Sequence, residues 1–114
     1  MEHTMSLYPA PFSKIKSGVK TIELRLYDEK RRKVAVGDTI LFYNTENSGE
    51  SVLTKVTNLY VFSSFDELYE SLPLLECGYT ESDIQNASPR DMDEYYSVER
   101  QEKYGVVGIR VAVI

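Results

Sequence analysis

Apolar and polar residues alternate along several stretches of the chain, which is the pattern of half-buried β-strands. The alternation is brief from Met5 to Leu7, strict from Thr21 to Leu26 and long from Val106 to Ile114, the last typical of a strand inside a sheet. Two more apolar stretches, 39–43 and 51–62, flank a polar segment of turn-forming residues and therefore predict a β-hairpin. The pattern predicts about five strands in all.

Helical spacing and helix-start residues occur between these strands. Ser64 lies three residues before Glu67, as in a capping box, and the apolar positions 65, 68, 69 and 72 follow at helical spacing. A shorter helical pattern over 12–16 ends at Gly18, where a left-handed cap fits. Further helix starts are expected at Thr80, Ser88 and Ser97.

Strands separated by short helices predict the α+β class, with a small curled or barrel-like, mainly antiparallel sheet whose curvature protects its edges. No repeat or flexible linker divides the chain, so we expect one domain over residues 1–114. The helix that begins after Ser64 is expected to cover one opening of the barrel.

Composition excludes several classes of protein. The 114 residues include one Cys and one His, which are too few for an internal disulfide or for a Cys/His metal site. No apolar run approaches the length of a membrane span, and the first residues lack the pattern of an export signal. We therefore expect a cytoplasmic protein with no metal, no cofactor and no membrane contact.

Charge is distributed unevenly along the chain. The formal net charge is −5, yet residues 10–34 carry eight basic and three acidic side chains, whereas residues 63–104 carry three basic and eleven acidic ones. This division favours a basic binding surface beside an acidic flank. The plain alternative is two solvated surfaces of opposite sign.

The basic segment contains the spacing G-x-K-x-x-E-x-R, formed by Gly18, Lys20, Glu23 and Arg25. This spacing resembles the signature of ASCH domains, which are similar in fold to PUA domains. Two further stretches agree with the resemblance, V-G-D-T-I at 36–40 and Y-G-V-V-G-I at 104–109. The resemblance implies a PUA-like pseudobarrel and a cleft, lined by the motif, that binds RNA or nucleotides.

The residue chemistry points the same way. Lysine and arginine neutralise phosphates, a carboxylate accepts hydrogen bonds from base amino groups, and tyrosine rings stack on bases. The run 30–33 is either a phosphate-binding patch or a solvated helix beside the cleft, and Glu23 and Arg25 alternatively form a plain surface ion pair. The candidate binding residues are Lys20, Thr21, Glu23, Arg25, Tyr27, Lys30, Arg31, Arg32 and Tyr43.

An enzymatic alternative also follows from the resemblance, because some small ASCH proteins are acetylcytidine amidohydrolases. Their catalytic lysine corresponds to Lys20, but the position of their threonine is occupied by Glu23, while Thr21 lies two residues earlier. Glu23 would then act as a general base on water and Lys20 would stabilise an oxyanion. A later glutamate corresponds to Glu76 or Glu99. A protein-interaction module, with an unknown partner, is the third hypothesis.

Other noteworthy residues have plain interpretations. His3 is expected on an exposed or edge strand. Cys77 is expected to be a partly buried small apolar residue, since it has acidic neighbours and no nearby histidine. Tyr95 and Tyr96 are expected to pack a helix end against the barrel, with Tyr96 or Glu99 within reach of a ligand.

Overall fold

The computed structural model describes residues 1–114 and contains one five-stranded sheet in the order β1-β3-β4-β5-β2. All neighbouring strands are antiparallel except β1 and β3, which are parallel. The α+β class and the curled, mainly antiparallel sheet predicted from the sequence are confirmed. The elements are β1 (Glu2–Leu7), α1 (Pro9–Lys16), β2 (Ile22–Leu26), β3 (Thr39–Asn44), β4 (Asn47–Phe62), α2 (Phe65–Ser71), α3 (Val98–Tyr104) and β5 (Val106–Val113).

The long strand β4 gives the sheet its curl by changing partners along its length. Its first half pairs with β3 and its second half with β5, and a β-bulge between Val56 and Asn58 interrupts the pairing with β5. Bulges bend a strand and increase its twist, which rolls the sheet around the core. The bend predicted within residues 51–62 is present. The hairpin loop is tighter than the predicted 44–49, because Asn44 already pairs with Asn47.

The strand β2 is buried on both faces. Ile22, Leu24 and Leu26 pack into a core cluster beneath α2. Glu23 and Arg25 project from the opposite face, where their cross-strand partners are Ile109 and Val107 of a second core cluster. The predicted alternation is correct, but the polar face of β2 lies on the inner side of the curl and not in open solvent.

Helices α1 and α2 follow the predicted apolar spacing. Helix α1 buries Phe12 and Ile15, and its end leads to Gly18, whose φ of 83° is the left-handed conformation expected of a cap. Helix α2 is capped by the Ser64 side chain, which accepts from the Glu67 backbone N–H. Phe65 and Leu68 are fully buried, so α2 packs against the core through two of the predicted apolar positions.

The remaining helix-start signals give shorter elements. Single or double 3₁₀ turns form at Arg31–Lys33, Ile84–Asn86 and Pro89–Glu94, and only the signal at Ser97 opens an α-helix. Within the run 30–33, the helix is a single 3₁₀ turn and not an α-helix. None of the helices combines the length and apolarity needed to traverse a membrane.

Candidate functional site

The two edge strands of the sheet, β1 and β2, do not pair with each other, and a side chain spans the seam between them. The Arg25 guanidinium donates through Nη2 to the backbone carbonyl of Ser6 at 2.8 Å. A cleft of about 500 Å³ opens beside this seam, between β1, β2, the loop at 76–79 and the 3₁₀ turn at Pro89–Glu94.

Three residues of the predicted motif form a buried ionic network in this cleft. Glu23 accepts from the Lys20 ammonium at 2.8 Å through Oε1 and from Arg25 Nε at 2.7 Å through Oε2. The Glu23 side chain is only 4% exposed. Burial raises the pKa of Glu23, but the charges and hydrogen bonds of Lys20 and Arg25 outweigh that effect and hold the pKa at about 2. Glu23 is therefore ionised at neutral pH.

The two cations retain donors that no protein group uses. Arg25 Nη1 makes no hydrogen bond within the protein and is not sealed from solvent, and Lys20 has one carboxylate partner for three N–H groups. Both residues line the cleft. Their free N–H groups can donate to acceptors on a bound molecule while Glu23 keeps them in place.

The loop at 76–79 forms the floor of the cleft and is tied to β2 and α1. The Glu76 carbonyl accepts from the backbone N–H groups of Thr21 and Ile22, and the Gly78 carbonyl accepts from the Lys14 ammonium at 2.7 Å. Gly78 has a φ of 114°, and a Cβ there would lie 3.3 Å from a carbon of Lys20. Glycine thus lets this loop approach Lys20 closely.

Cys77 also lines the cleft, but as an uncharged thiol. Burial raises the pKa of Cys77 to about 11, and the nearby Lys20 offsets that effect only in part. Because the thiolate is the nucleophilic form, Cys77 is inert at neutral pH. This agrees with its interpretation as a small apolar residue.

The opposite side of the cleft is acidic and contains a hydrogen-bonded pair of tyrosines. The Tyr69 and Tyr79 hydroxyls lie 2.6 Å apart, and Tyr79 donates to Asp91 Oδ2 at 2.7 Å. Burial, together with these hydrogen bonds, raises the pKa of Tyr79 and keeps its hydroxyl protonated. Asp83 and Glu94 line the same side. We call Asp83, Asp91 and Glu94 the acidic wall, and Lys14, Lys20 and Arg25 the basic wall.

Aromatic rings complete the lining. Tyr96 stacks on Phe65 with ring centroids 6.2 Å apart. Burial raises the pKa of the Tyr96 hydroxyl, and the charge of Arg25 lowers that pKa while the charge of Glu23 raises it. Tyr8 and Tyr95 lie at the mouth of the cleft. Tyr96 therefore reaches a ligand-sized opening, as one of the two alternatives from the sequence expected.

Only part of the predicted site lies in the cleft. Lys20, Glu23 and Arg25 do, whereas the Thr21 hydroxyl points away and donates to Glu76 Oε1 at 2.9 Å. The same oxygen of Glu76 accepts from Arg110 at 2.7 Å, so this carboxylate braces the start of β2 outside the cleft. Glu99 does not line the cleft.

The other predicted binding residues, all from 27–32 or from β3, also lie outside the lining. The Arg32 guanidinium covers the Tyr27 ring at 4.4 Å and donates to the Tyr104 carbonyl, while Arg31 pairs with Asp28 at 3.2 Å. Burial and the positive charges of Arg31 and Arg25 lower the pKa of Lys30. Tyr43 contributes nothing to the cleft.

Sequence reasoning missed most of the lining, including Tyr8, Lys14, Tyr69, Tyr79 and Asp91. Lys14 and Asp91 bond to partners 64 and 12 residues away in sequence, and no local pattern shows such pairs. The one sequence feature that could have pointed to these residues is the concentration of tyrosines beside helix starts. His3 lies away from the cleft on β1, paired with Asp38 at 2.8 Å.

Comparisons with known proteins agree with this fold. The model of the ASCH domain family matches residues 5–114. The hypothetical protein PH0355 has a crystal structure 34% identical in sequence, with 100% of both chains covered and a TM-score of 0.82. The solution structure of PF0455 from Pyrococcus furiosus is 32% identical over 100% of this chain and 98% of that one, with a TM-score of 0.76.

A more distant match confirms the predicted PUA-like fold alone. The S128A mutant of ZmASCH from Zymomonas mobilis is 19% identical, covering 97% of this chain and 67% of that one, with a TM-score of 0.68. No curated protein matches this chain significantly.

Proposed function

The chain belongs to the ASCH domain family, and from that membership we propose that it binds RNA or a nucleotide, with one base held in the cleft beside Arg25. The observation that carries the proposal is the buried network of Lys20, Glu23 and Arg25. Burying charges is costly unless they are paired, and this network still leaves cationic donors directed at an open cleft. Such an arrangement is typical of a binding site.

A base suits the cleft because its two sides offer complementary groups. The basic wall presents N–H donors, the acidic wall presents carboxylate acceptors, and Tyr96 offers an aromatic ring. Bases carry both carbonyl or ring-nitrogen acceptors and amino donors around a flat apolar ring. A polyanion fits less well, because the charged lining includes four carboxylates and three cations.

Phosphates are better accommodated outside the cleft. Lys30, Arg32 and Lys33, which follow β2 in the chain, are exposed, whereas Arg31 is paired with Asp28. These cations offer a path for the sugar-phosphate backbone of RNA along the end of β2. In this arrangement Glu23 positions Lys20 and Arg25 and does not read the base itself, because both its oxygens are occupied.

The test is a titration of short single-stranded RNAs and free nucleosides at low salt. We expect Arg25→Gln to weaken binding about tenfold or more, consistent with the ~1.5–3 kcal/mol attributed to a hydrogen bond from a charged group. Arg100→Ala, an exposed arginine outside the cleft, is the matched control and should leave binding unchanged. Absence of binding below millimolar concentration in the wild-type protein would refute the proposal.

Hydrolysis of a modified nucleoside is a second candidate because the Lys20 ammonium lies in the cleft wall. With a pKa of about 2 and two cationic partners, however, Glu23 is a poor general base. Lys20 can only stabilise an oxyanion, and the cleft then needs another base. Incubation with acetylated cytidine followed by chromatography tests this, and turnover that disappears in Lys20→Ala would favour the enzyme.

A further inference from the structure

Two tyrosines at the mouth of the cleft leave most of their surface in water. Tyr8 is 61% exposed and Tyr95 is 55% exposed, although both line the cleft. Tyr8 comes from the junction of β1 and α1, and Tyr95 follows the 3₁₀ turn at Pro89–Glu94 on the other side. The two rings therefore approach each other from opposite sides of the opening.

These rings differ from the other tyrosines near the site. Arg32 covers Tyr27, Phe65 stacks on Tyr96, and Tyr69 is bonded to Tyr79. Tyr8 and Tyr95 have only each other, with ring centroids 6.4 Å apart and planes inclined by 39°. Their hydroxyls make no hydrogen bond within the protein, so neither ring is fixed by a polar contact.

The spacing is close to what a flat ring needs to enter between them. Stacked bases are separated by about 3.4 Å, so a base between two parallel rings needs about 7 Å. The ring centroids lie 6.4 Å apart, so a base can enter once the two rings turn from 39° until their faces oppose each other and move apart slightly. Exposed side chains change rotamer readily, so this adjustment is small.

We propose that Tyr8 and Tyr95 form an aromatic clamp for a second, unpaired base next to the one held in the cleft. This inference rests on the proposed function and narrows the ligand to single-stranded RNA of at least two nucleotides. A free nucleoside or mononucleotide would occupy the cleft and leave the clamp empty. Stacking is tolerant of base identity, so the clamp adds affinity more than sequence preference.

The experiment compares a nucleoside with a dinucleotide and a tetranucleotide at constant salt. Wild-type protein should bind the oligonucleotides more tightly, and Tyr8→Ala or Tyr95→Ala should weaken oligonucleotide binding about five- to hundredfold. Nucleoside affinity should fall by a clearly smaller factor, because a base beside Arg25 relies mainly on Lys20, Arg25 and Tyr96, which these variants leave in place. Tyr8→Phe and Tyr95→Phe keep the ring and should retain most of the affinity, while Tyr43→Ala removes a tyrosine outside the cleft and serves as control.

Fluorescence gives an independent measurement because the chain has nine tyrosines and no tryptophan. Oligonucleotides should quench tyrosine emission more than nucleosides do, and the extra quenching should be absent in the Tyr8→Ala/Tyr95→Ala double variant. The clamp is refuted if nucleosides bind but the alanine variants bind oligonucleotides as wild type does, which leaves the cleft proposal standing. If neither ligand binds the wild type, both proposals fail.

Discussion

The buried Glu23 carboxylate pairs with two cations, so its negative charge contributes more to the stability of the fold than its hydrogen bonds do. We expect Glu23→Gln to lower the free energy of unfolding by about 3 kcal/mol, since it leaves Lys20 and Arg25 without a counter-charge. Urea denaturation at pH 7 measures the change. Glu50→Gln, which alters an exposed carboxylate paired with Lys16, is the control and should cost less than about 1 kcal/mol.

The same carboxylate predicts a dependence of stability on pH. Its folded-state pKa of about 2 lies below the ordinary 4.5, so the ionised form favours the folded state above pH 4.5, and that contribution is lost as the pH falls toward 2. The stability difference between wild type and Glu23→Gln should therefore be largest at neutral pH and shrink toward pH 2. A constant difference in denaturation measured at pH 7, 4 and 2.5 would contradict this assignment.

For individual residues, the sequence predicted the motif of Lys20, Glu23 and Arg25 but not the segments that pack against it. Lys20, Glu23 and Arg25 lie within six residues, so their spacing in the chain places them together. Their partners Ser6 and Gly78 come from distant segments. Whether the polar face of β2 is solvated or buried depends on those segments, which alternation along one strand does not reveal.

Among the elements, α2 offers the clearest test of packing. Leu68 lies on the fully buried face of this helix, so Leu68→Ala should lower the free energy of unfolding by about 2–5 kcal/mol. Val61→Ala, on the exposed side of β4, is the matched control and should cost little. A loss below ~0.5 kcal/mol for Leu68→Ala in denaturant melts would show that α2 is not part of the core.

Gly105 joins α3 to β5 in a conformation that other residues avoid. Its φ of 71° and ψ of −171° are accessible almost only to glycine, and a Cβ would lie 2.9 Å from the Phe62 carbonyl oxygen. Gly105→Ala should cost about 1–3 kcal/mol, measured by thermal or urea unfolding. Gly49→Ala, at a site with ordinary spacing to its neighbours, should be far milder.

Element types were more predictable than element lengths. Alternation identified β1, β2 and β5, the two apolar stretches around a polar loop identified β3 and β4, and the Ser64 cap identified α2. The signal at Ser88 is a cap, since Ser88 forms a capping box with Asp91, whereas the Thr80 backbone N–H donates to Asp83 and the turn Ile84–Asn86 has no side-chain cap. The residues after each of these signals lack a continuous apolar stripe, so only 3₁₀ turns form there.

For the whole molecule, the unequal charge of the sequence becomes the two walls of one cleft. The basic wall comes from residues 10–34 and the acidic wall from residues 63–104. The expectation of a basic surface beside an acidic flank was thus incomplete, because the two charges face each other. The sequence shows that one segment is basic and the other acidic. Only the path of the chain around the barrel determines that both segments line the same cleft.

If the protein binds RNA as proposed, this arrangement predicts a weak dependence of that binding on salt. Each phosphate neutralised on a single strand contributes about −0.7 to the slope of log affinity against log salt concentration. With the base in the cleft and phosphates meeting only the 30–33 turn, we expect a slope between about −0.7 and −1.4. Titrations at several salt concentrations measure it. A slope steeper than about −3 would mean that phosphates enter the cleft itself.

The unpaired seam between β1 and β2 leaves each of these two strands with one strand neighbour. β1 has a single strand neighbour, 37 residues away in register, and Arg25 is its polar tie to β2. Ser6, Leu7 and Tyr8 also line the cleft, so an excursion that frees this strand widens the entrance at the same time. Breaking the hydrogen bond between Arg25 and the Ser6 carbonyl would therefore both open the fold locally and widen the cleft for a ligand.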